Sequence, residues 1–465
     1  MATWLCATLA AASAIAASTA PQPTPVRSLE PELAVRVDRA VQRVLDEAHT
    51  PSASIAIVRD GHLAYAAAYG QARLSPGVAA TTHTRYQLAS LSKTLTAQAL
   101  LLLEQDGEMN LDDPVSRWLP GLSGGDRVSV RQLLQHTAGF PDHYPQTYPA
   151  GPRTRPTTPD TIIAEWGRHP LLFTPGERFR YSNLNYVIAG RIAEKASGEP
   201  LFALLQRRIF APLKMADTIN LDEIGPQTPD IATGYVRPAL GPLEPAPDEG
   251  RGWSFGEGQV VTTATDLARW DEAFLSGRLL APAQAHEEVS TPRLADGSQS
   301  DYALGLFVSG QGERTAYYHV GQGLGFLAVN RIYPAEHAAI VVLTNDSSSP
   351  AFARIAQRLA YLILPPTPAD ARARALFAAL QDGRLDRTQA TAEFNAYFDA
   401  RMAKAYADSL GPLGAPDSFD LHAADEADGL TTRTYEVVAG RRRLRLVEQR
   451  LADGQLESVQ VQAAD

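Results

Sequence analysis

The chain has 465 residues, 45% of them hydrophobic and 20% charged. It is long enough to bury a sizeable core and is neither disordered nor collagenous in composition. Lysine and arginine total 42 against 52 aspartate and glutamate, a net charge of -10, and this acidic balance excludes nucleic acid as the main partner because phosphate binding needs clustered positive charge.

Residues 1–20, MATWLCATLAAASAIAASTA, predict a signal peptide, followed by a Pro-rich linker over 21–34. No Lys or Arg precedes the apolar run, so a misplaced start codon or a low-complexity tail are the alternative readings. Export to the periplasm or the medium is the expectation, with no stable membrane span left after signal removal. The single cysteine, Cys6, falls in this leader, which leaves the mature chain without disulfide, thiolate metal site or cysteine nucleophile.

Residues 54–70 predict two strands joined by an Asp60-Gly61 turn. Residues 90–106 predict a helix that stops at Gly107 and opens with Ser90-Leu91-Ser92-Lys93. A spacing of three puts Ser90 and Lys93 on one helical face, within hydrogen-bonding reach. At a helix N-terminus, exposed N–H groups and the macrodipole favour negative charge developing at Ser90. The same potential, with partial burial, is expected to lower the Lys93 pKa toward base strength, and a neutral lysine can take the proton that makes serine nucleophilic. The chain has four lysines (Lys93, Lys195, Lys214 and Lys404) among its 42 basic residues, a bias that reads as coding preference. S-x-x-K by itself also arises by chance.

Gly121-Leu122-Ser123-Gly124-Gly125 fits the G-x-S-x-G nucleophile elbow, which needs a strand before it and a helix after. Pro120 precedes it and strand-like Val128-Ser129-Val130 follows, so a loop is expected. Tyr181-Ser182-Asn183 precedes a helical run from Leu184 to Ser197. Such a turn presents a phenol and an amide to a cleft; the alternative is a core tyrosine with an Asn helix cap. His319-Val320-Gly321-Gln322 leads into Gly323-Leu324-Gly325-Phe326, the pattern of a strand edge whose glycines let a ligand approach the backbone, or else of a structural histidine. Residues 322–345 predict two more strands around Pro334. The other histidines show no metal-ligand spacing, and no metal or cofactor is expected.

Strands at both ends of the segment 35–365, with helices between, predict one sheet assembled from distant parts of an α/β (α+β) chain. PPTPAD at 365–370 reads as a linker. Residues 371–465 then read as an accessory α+β tail: two helical patterns around LQDGRLD, strand-like runs at 432–439 and 441–450, and an Asp453-Gly454 hairpin. Arg441-Arg442-Arg443 with Arg445 reads as a solvated strand face, a basic binding face being the alternative.

Taken in order, S-x-x-K, Y-x-N and H-x-G resemble the serine beta-lactamase and penicillin-binding-protein superfamily, nearest its class C beta-lactamase-like branch of peptidases and esterases. PSASIAIVRDG, VRQLLQHTAGFP, RFRYSNLNYVIAGRIAEKASG and VVTTATDLARW carry the likeness between the motifs, over about residues 35–365. The resemblance implies an antiparallel sheet flanked by helices plus a mainly helical subdomain, with the site in the groove between them, and then a small α+β C-terminal domain. It implies Ser90 as the acylated nucleophile, Lys93 sharing in its activation and Tyr181 as proton relay. Asn183 would hold the substrate amide or the lysine. His319 takes the place of the third-motif lysine, with Gly321 beside it in the substrate-binding strand, and the N–H groups of Ser90 and Gln322 would form the oxyanion hole.

The implied reaction is cleavage of an amide or ester in a small-molecule or peptide substrate, D-amino-acid peptidase, D,D-carboxypeptidase-like or esterase; a weak beta-lactamase or a non-catalytic scaffold are the alternatives. True beta-lactamases of this branch usually carry Lys-Thr-Gly where this chain has His-Val-Gly. Losing a charge-assisted partner and a hydroxyl weakens carboxylate recognition by about 2–4 kcal/mol. His143, after Phe140-Pro141, is expected as an exposed loop residue or as a substrate contact. The oligomeric state is left open.

Overall fold

A computed structural model describes residues 28–143, 151–310, 314–427 and 429–464. The expected signal peptide and the PQPTP spacer lie outside the described residues. Helix α1 (Pro31–Ala48) begins inside the stretch read as linker, because Pro31 suits the first helical position and Glu32 the positive end of the dipole. Its Val37, Val41, Val44 and Leu45 form one buried stripe.

Strands β1 (Ser52–Arg59) and β2 (His62–Arg73) are joined by Asp60 and Gly61, both left-handed at φ 53° and 77°, as a two-residue hairpin turn requires. With β3 (Val78–Ala79), β4 (Phe307–Ser309), β5 (Ala316–Gly323), β6 (Phe326–Tyr333) and β7 (Ala338–Thr344) they build an antiparallel sheet in the order β3-β2-β1-β7-β6-β5-β4. Ala53 stands opposite Thr344, so the two ends of the segment close one sheet, as expected. Pro334 lies in the β6–β7 turn, but Gln322 and Gly323 belong to β5 rather than to the next strand.

Side chains alternate across the sheet. Ile55, Ile57, Val329 and Val342 pack with α1 and with α5 (Ala351–Ile363). Ala56, Val58, Ala328 and Leu343 face the helical part of the molecule. There α2 (Ser92–Gln105) is buried at every position from Ser92 to Leu103, so its polar side chains over that span meet protein partners and not water. It packs against α3 (Asn183–Ser197), while α4 (Ala264–Leu275) lies on β1 and β7. The G-x-S-x-G stretch is a loop in which the Ser123 hydroxyl donates to the Arg168 carbonyl at 3.1 Å.

In the tail, α6 (Pro368–Asp382) starts within the expected linker because Thr367 and Asp370 form a reciprocal capping box. After α7 (Ala392–Tyr397) and α8 (Ala400–Leu410) come β8 (Ser418–Ala427), β9 (Leu430–Ala439), β10 (Arg442–Leu451) and β11 (Leu456–Ala463), a four-stranded antiparallel sheet in sequence order. Gly454 turns the β10–β11 hairpin at φ 89°. Strand β8 was not expected, since its run of acidic and small residues lacks strand propensity. Arg441, Arg442, Arg443 and Arg445 are exposed, and Arg443 pairs with Glu436 at 3.1 Å. No helix among the described residues is long and apolar enough to cross a membrane.

Two contacts position the site. A Cβ on Gly321 would stand 1.9 Å from the Leu88 carbonyl oxygen, so this glycine lets the protein's own backbone, the turn before Ser90, approach β5 closely. Gly321→Ala should therefore force β5 away from that turn, costing about 1–3 kcal/mol by overpacking, read as a fall in denaturation midpoint.

Behind β6, buried Asp271 accepts from Asn330 Nδ2 at 2.6 Å, while Asp271 Oδ2 and Asn330 Oδ1 have no partner. Burial pushes this carboxyl up to about 8; the protonated acid then has a hydrogen to offer the orphan amide oxygen. A raised folded-state pKa gives stability that is present at low pH and lost as pH rises through it. Asp271→Asn offers the same hydrogen at every pH. Melting curves should show the variant gaining on the wild type by up to about 1.4 kcal/mol per pH unit as pH rises toward 8.

Candidate active site

Ser90 lies in a short 3₁₀ turn, Ala89–Leu91, that runs into α2, slightly before the helical position read from the sequence. Ala89 is left-handed at φ 47°, a strain of order 1–3 kcal/mol for a residue with a Cβ. The turn leaves Ser90 half-buried while Lys93, one turn on, is fully buried.

The Lys93 ammonium donates to Ser90 Oγ at 3.0 Å, Asn183 Oδ1 at 2.8 Å, the Glu257 carbonyl at 3.0 Å and Glu257 Oε2 at 2.9 Å. Burial alone drives such an ammonium toward the neutral form. The Glu257 carboxylate and the Tyr181 phenol oppose it and prevail, holding the amine above its ordinary value. This corrects the expected depression: an acidic side chain from a distant loop outweighs helix potential and burial together. Glu257 was missed because Ser254-Phe255-Gly256-Glu257-Gly258 matches no motif; a charged residue between two glycines, three positions before Val260-Val261, was the available signal.

The Tyr181 ring centroid lies 5.1 Å from Lys93 Nζ. Burial raises the phenol pKa, Lys93 and Ser90 lower it, and the net shift is upward, so the phenol keeps its proton. Beneath it lies His136, with ring centroids 4.2 Å apart. His136 Nδ1 accepts from the Ser182 N–H at 3.3 Å and from Asn185 Nδ2 at 3.1 Å, which ties the Y-S-N turn in place. Burial and the neighbouring Lys93 hold this imidazole well below its usual range.

Asn183 is the first residue of α3 and does not act as its cap. Its amide oxygen faces Lys93, its Nδ2 donates to Asp142 Oδ2 at 3.2 Å, and its backbone N–H donates to Asp142 Oδ1 at 3.0 Å. Burial and the Glu257 charge push Asp142 up to about 7.

His319 is buried, and both ring nitrogens are engaged. Nε2 faces the Tyr302 hydroxyl at 3.0 Å and Nδ1 the Val320 carbonyl at 2.8 Å. Since the carbonyl can only accept, Nδ1 carries the hydrogen and Nε2 receives the phenol's. Burial and Lys93 depress this histidine to about 3. Its ring lies 6.4 Å from that of Tyr181. Among the described residues β4 pairs with Ala316–Tyr318 and no strand pairs with the outer edge of β5 from His319 onward; Gln322 is exposed beside Gly321.

His143 is buried at 2% exposure, not exposed as expected. It packs 3.8 Å from Asp142, and burial lowers it to about 4. Nearby, Glu249 accepts from the Ser254 hydroxyl at 2.6 Å, faces Arg153 at 3.8 Å and is pushed by burial up to about 7. The structure thus brings Ser90, Lys93, Tyr181 and Asn183 into one cluster, with His319, Gly321 and Gln322 on the adjoining strand. Glu257, Asp142, Glu249, Arg153, His136 and Tyr302 complete it, and none was legible from spacing.

Residues 37–364 match the Beta-lactamase family model. The chain belongs to the beta-lactamase family. Penicillin-binding protein 4* of Bacillus subtilis (strain 168) is 28% identical over 356 residues, 72% of this chain and 79% of that one; other curated relatives are spanned for 63% of their length. The structure of D-amino acid amidase from Ochrobactrum anthropi SV3 is similar at TM-score 0.59 and 25% identity, covering 70% of this chain and 96% of that one. The octameric penicillin-binding protein homologue from Pyrococcus abyssi shares the fold at TM-score 0.61 and 20% identity, over 92% of this chain and 99% of that one, so its likeness extends into the tail.

Within this beta-lactamase-family site the Tyr302–His319 bond is open to test. Tyr302→Phe removes the hydrogen bonded to a buried nitrogen and should cost about 1–3 kcal/mol in chemical denaturation.

Proposed function

We propose that the protein is a serine hydrolase that cleaves an amide or ester through an acyl-enzyme on Ser90. The observation that carries this reading is the buried Lys93 ammonium 3.0 Å from Ser90 Oγ, held there by Asn183 and Glu257. Ser90 attacks the carbonyl while its proton passes to Lys93 in its neutral amine form, and that proton reaches the leaving group through the Tyr181 phenol, which gives up its own proton and is reprotonated from Lys93. The N–H groups of Ser90 and Gln322 receive the oxyanion.

The substrate class we infer is an amide or ester of a D-amino acid or short D-peptide, outside the cytoplasm. Two things support it: likeness to D-amino acid amidase and the charge pattern of the site. His319 is neutral, and the two buried cations, Lys93 and Arg153, already face Glu257 and Glu249. Among the described residues a substrate carboxylate finds no unmatched buried cation there, which disfavours D,D-carboxypeptidase and beta-lactam substrates relative to amides and esters that lack one. The apolar, small-residue leader supports export. A beta-lactamase of low turnover is the second reading, favoured by the family itself; the assembled cluster argues against a non-catalytic scaffold.

Intact-mass spectrometry after exposure to a fluorophosphonate probe tests the reading. A single adduct is expected on the wild type and none on Ser90→Ala. Lys93→Met should slow labelling by roughly 10²–10⁴-fold, and p-nitrophenyl esters or D-aminoacyl amides should turn over much faster than nitrocefin. An adduct persisting in Ser90→Ala overturns the assignment of the nucleophile.

A further inference from the structure

Lys93 cannot act as a base while it is an ammonium, and the arrangement that keeps it one also contains a route out. We propose that Glu257 is the proton acceptor for Lys93: its carboxylate takes a proton from the ammonium before Ser90 attacks and returns it after the leaving group departs. This inference rests on the acyl-enzyme reading above and assigns a proton-holding role to a residue outside the three motifs.

The geometry carries it. Glu257 Oε2 lies 2.9 Å from Lys93 Nζ, on side chains that are 7% and 0% exposed. At such burial two opposite charges lose most of their hydration, so the neutral pair of amine and carboxylic acid lies nearer to the ion pair than it would in water, although the ion pair is the resting state. The Glu257 backbone carbonyl and Asn183 Oδ1 also accept from Nζ, so the amine stays anchored once a proton has crossed to Oε2. Rotation about the Cε–Nζ bond then points the two remaining hydrogens at Asn183 Oδ1 and the Glu257 carbonyl and turns the lone pair to the Ser90 hydroxyl at 3.0 Å.

The step balances. One proton moves from Nζ to Oε2, leaving a neutral amine and a neutral acid. As the Ser90 Oγ–carbon bond forms, the serine proton moves to Nζ and the carbonyl electron pair becomes the oxyanion. When the bond to the leaving group breaks, that proton is passed on through the Tyr181 phenol to the leaving group. The Glu257 proton then returns to Nζ, restoring the ion pair. With Glu257 neutral while the oxyanion exists, no carboxylate charge competes with it for the ammonium.

Other groups face this pair, and each would leave its own mark on a pH profile. The Tyr181 phenol and the rings of His136 and His319 lie on the Lys93 side. Asp142 and His143, directly after Phe140-Pro141, and Glu249 with Arg153 feel the Glu257 charge. Asp142 and Glu249 titrate near neutrality and would do so in a Glu257 variant too, so the comparison of two profiles isolates Glu257.

The test is the rate of Ser90 labelling by a fluorophosphonate probe, followed by intact mass from pH 5.5 to 9, for wild type, Glu257→Gln and Glu257→Asp, each checked for folding by its melting curve. Glutamine still accepts a hydrogen bond from Nζ but takes no proton. The expected result is at least a tenfold loss for Glu257→Gln at pH 6.5, recovered as pH rises, with the wild type nearly flat over the same range. Glu257→Asp should keep the flat shape at a lower rate, and it alone decides the matter if the glutamine variant does not fold. A Glu257→Gln protein that labels as fast as the wild type or faster at pH 6.5 overturns the proposal, since Glu257 would then only restrain the ammonium. A rising limb in Glu257→Asp overturns it as well. Absence of Ser90 labelling in the wild type overturns the acyl-enzyme reading itself, and this inference with it.

Discussion

A fully buried ammonium is the constraint around which the catalytic half of this molecule is arranged. Stripped of water, Lys93 requires acceptors in every direction its hydrogens can point, and three segments far apart in the chain supply them: the turn at Ser90, the start of α3 at Asn183, and the loop that brings Glu257. Removing any partner leaves a charge in low dielectric, which costs far more than the bond itself. The helix carrying Lys93 is pinned to the same surroundings. Thr96 Oγ1 donates to the Gly256 carbonyl at 2.7 Å, Thr94 Oγ1 to the Gly305 carbonyl at 2.6 Å, and Ser92 Oγ accepts from the Val260 N–H at 3.1 Å. The lysine, the serine and the Glu257 loop are therefore tied to one another through the same helix.

Around that ammonium the remaining ionisable groups are driven toward neutrality. His136, His143 and His319 are depressed, with burial the largest cause, while Asp142 and Glu249 are raised for the same reason. The result is a polar chamber with little net charge and many fixed donors and acceptors. In such a setting the chemistry is decided by where single protons reside, because each transfer is felt across a poorly screened few ångströms.

The sheet contributes an edge more than a surface. Among the described residues β4 pairs with Ala316–Tyr318, which leaves the outer edge of β5 next to Ser90 without a strand partner, and Gly321 allows that edge to approach the Leu88 carbonyl. The tail lies on the other side of the sheet from α2. Tyr361 of α5 packs into the tail's core around Phe377 and Phe419, whereas Ile355 and Leu359 of the same helix pack on the sheet face opposite the catalytic helices. The tail is thus set apart from the cleft by the thickness of the sheet.

Much of this was legible in the chain itself. The Asp60-Gly61 hairpin, the helix after Ser90, the strands flanking Pro334 and the closing of one sheet from distant ends follow from turn chemistry and periodicity, which are local properties. The three-residue spacing likewise put Ser90 and Lys93 on one face. What local pattern could not decide was the charge state of the lysine. Glu257 lies 164 residues away, and only folding brings its carboxylate to 2.9 Å of Nζ, reversing the direction of the shift expected from burial and helix potential. The burial of His143, the engagement of both His319 nitrogens and the use of Gly321 for a backbone contact were hidden for the same reason. Sequence spacing determines which side chains share a face or a turn; pKa, tautomer and clearance depend on groups delivered within a few ångströms by other segments, and only the tertiary structure brings those together.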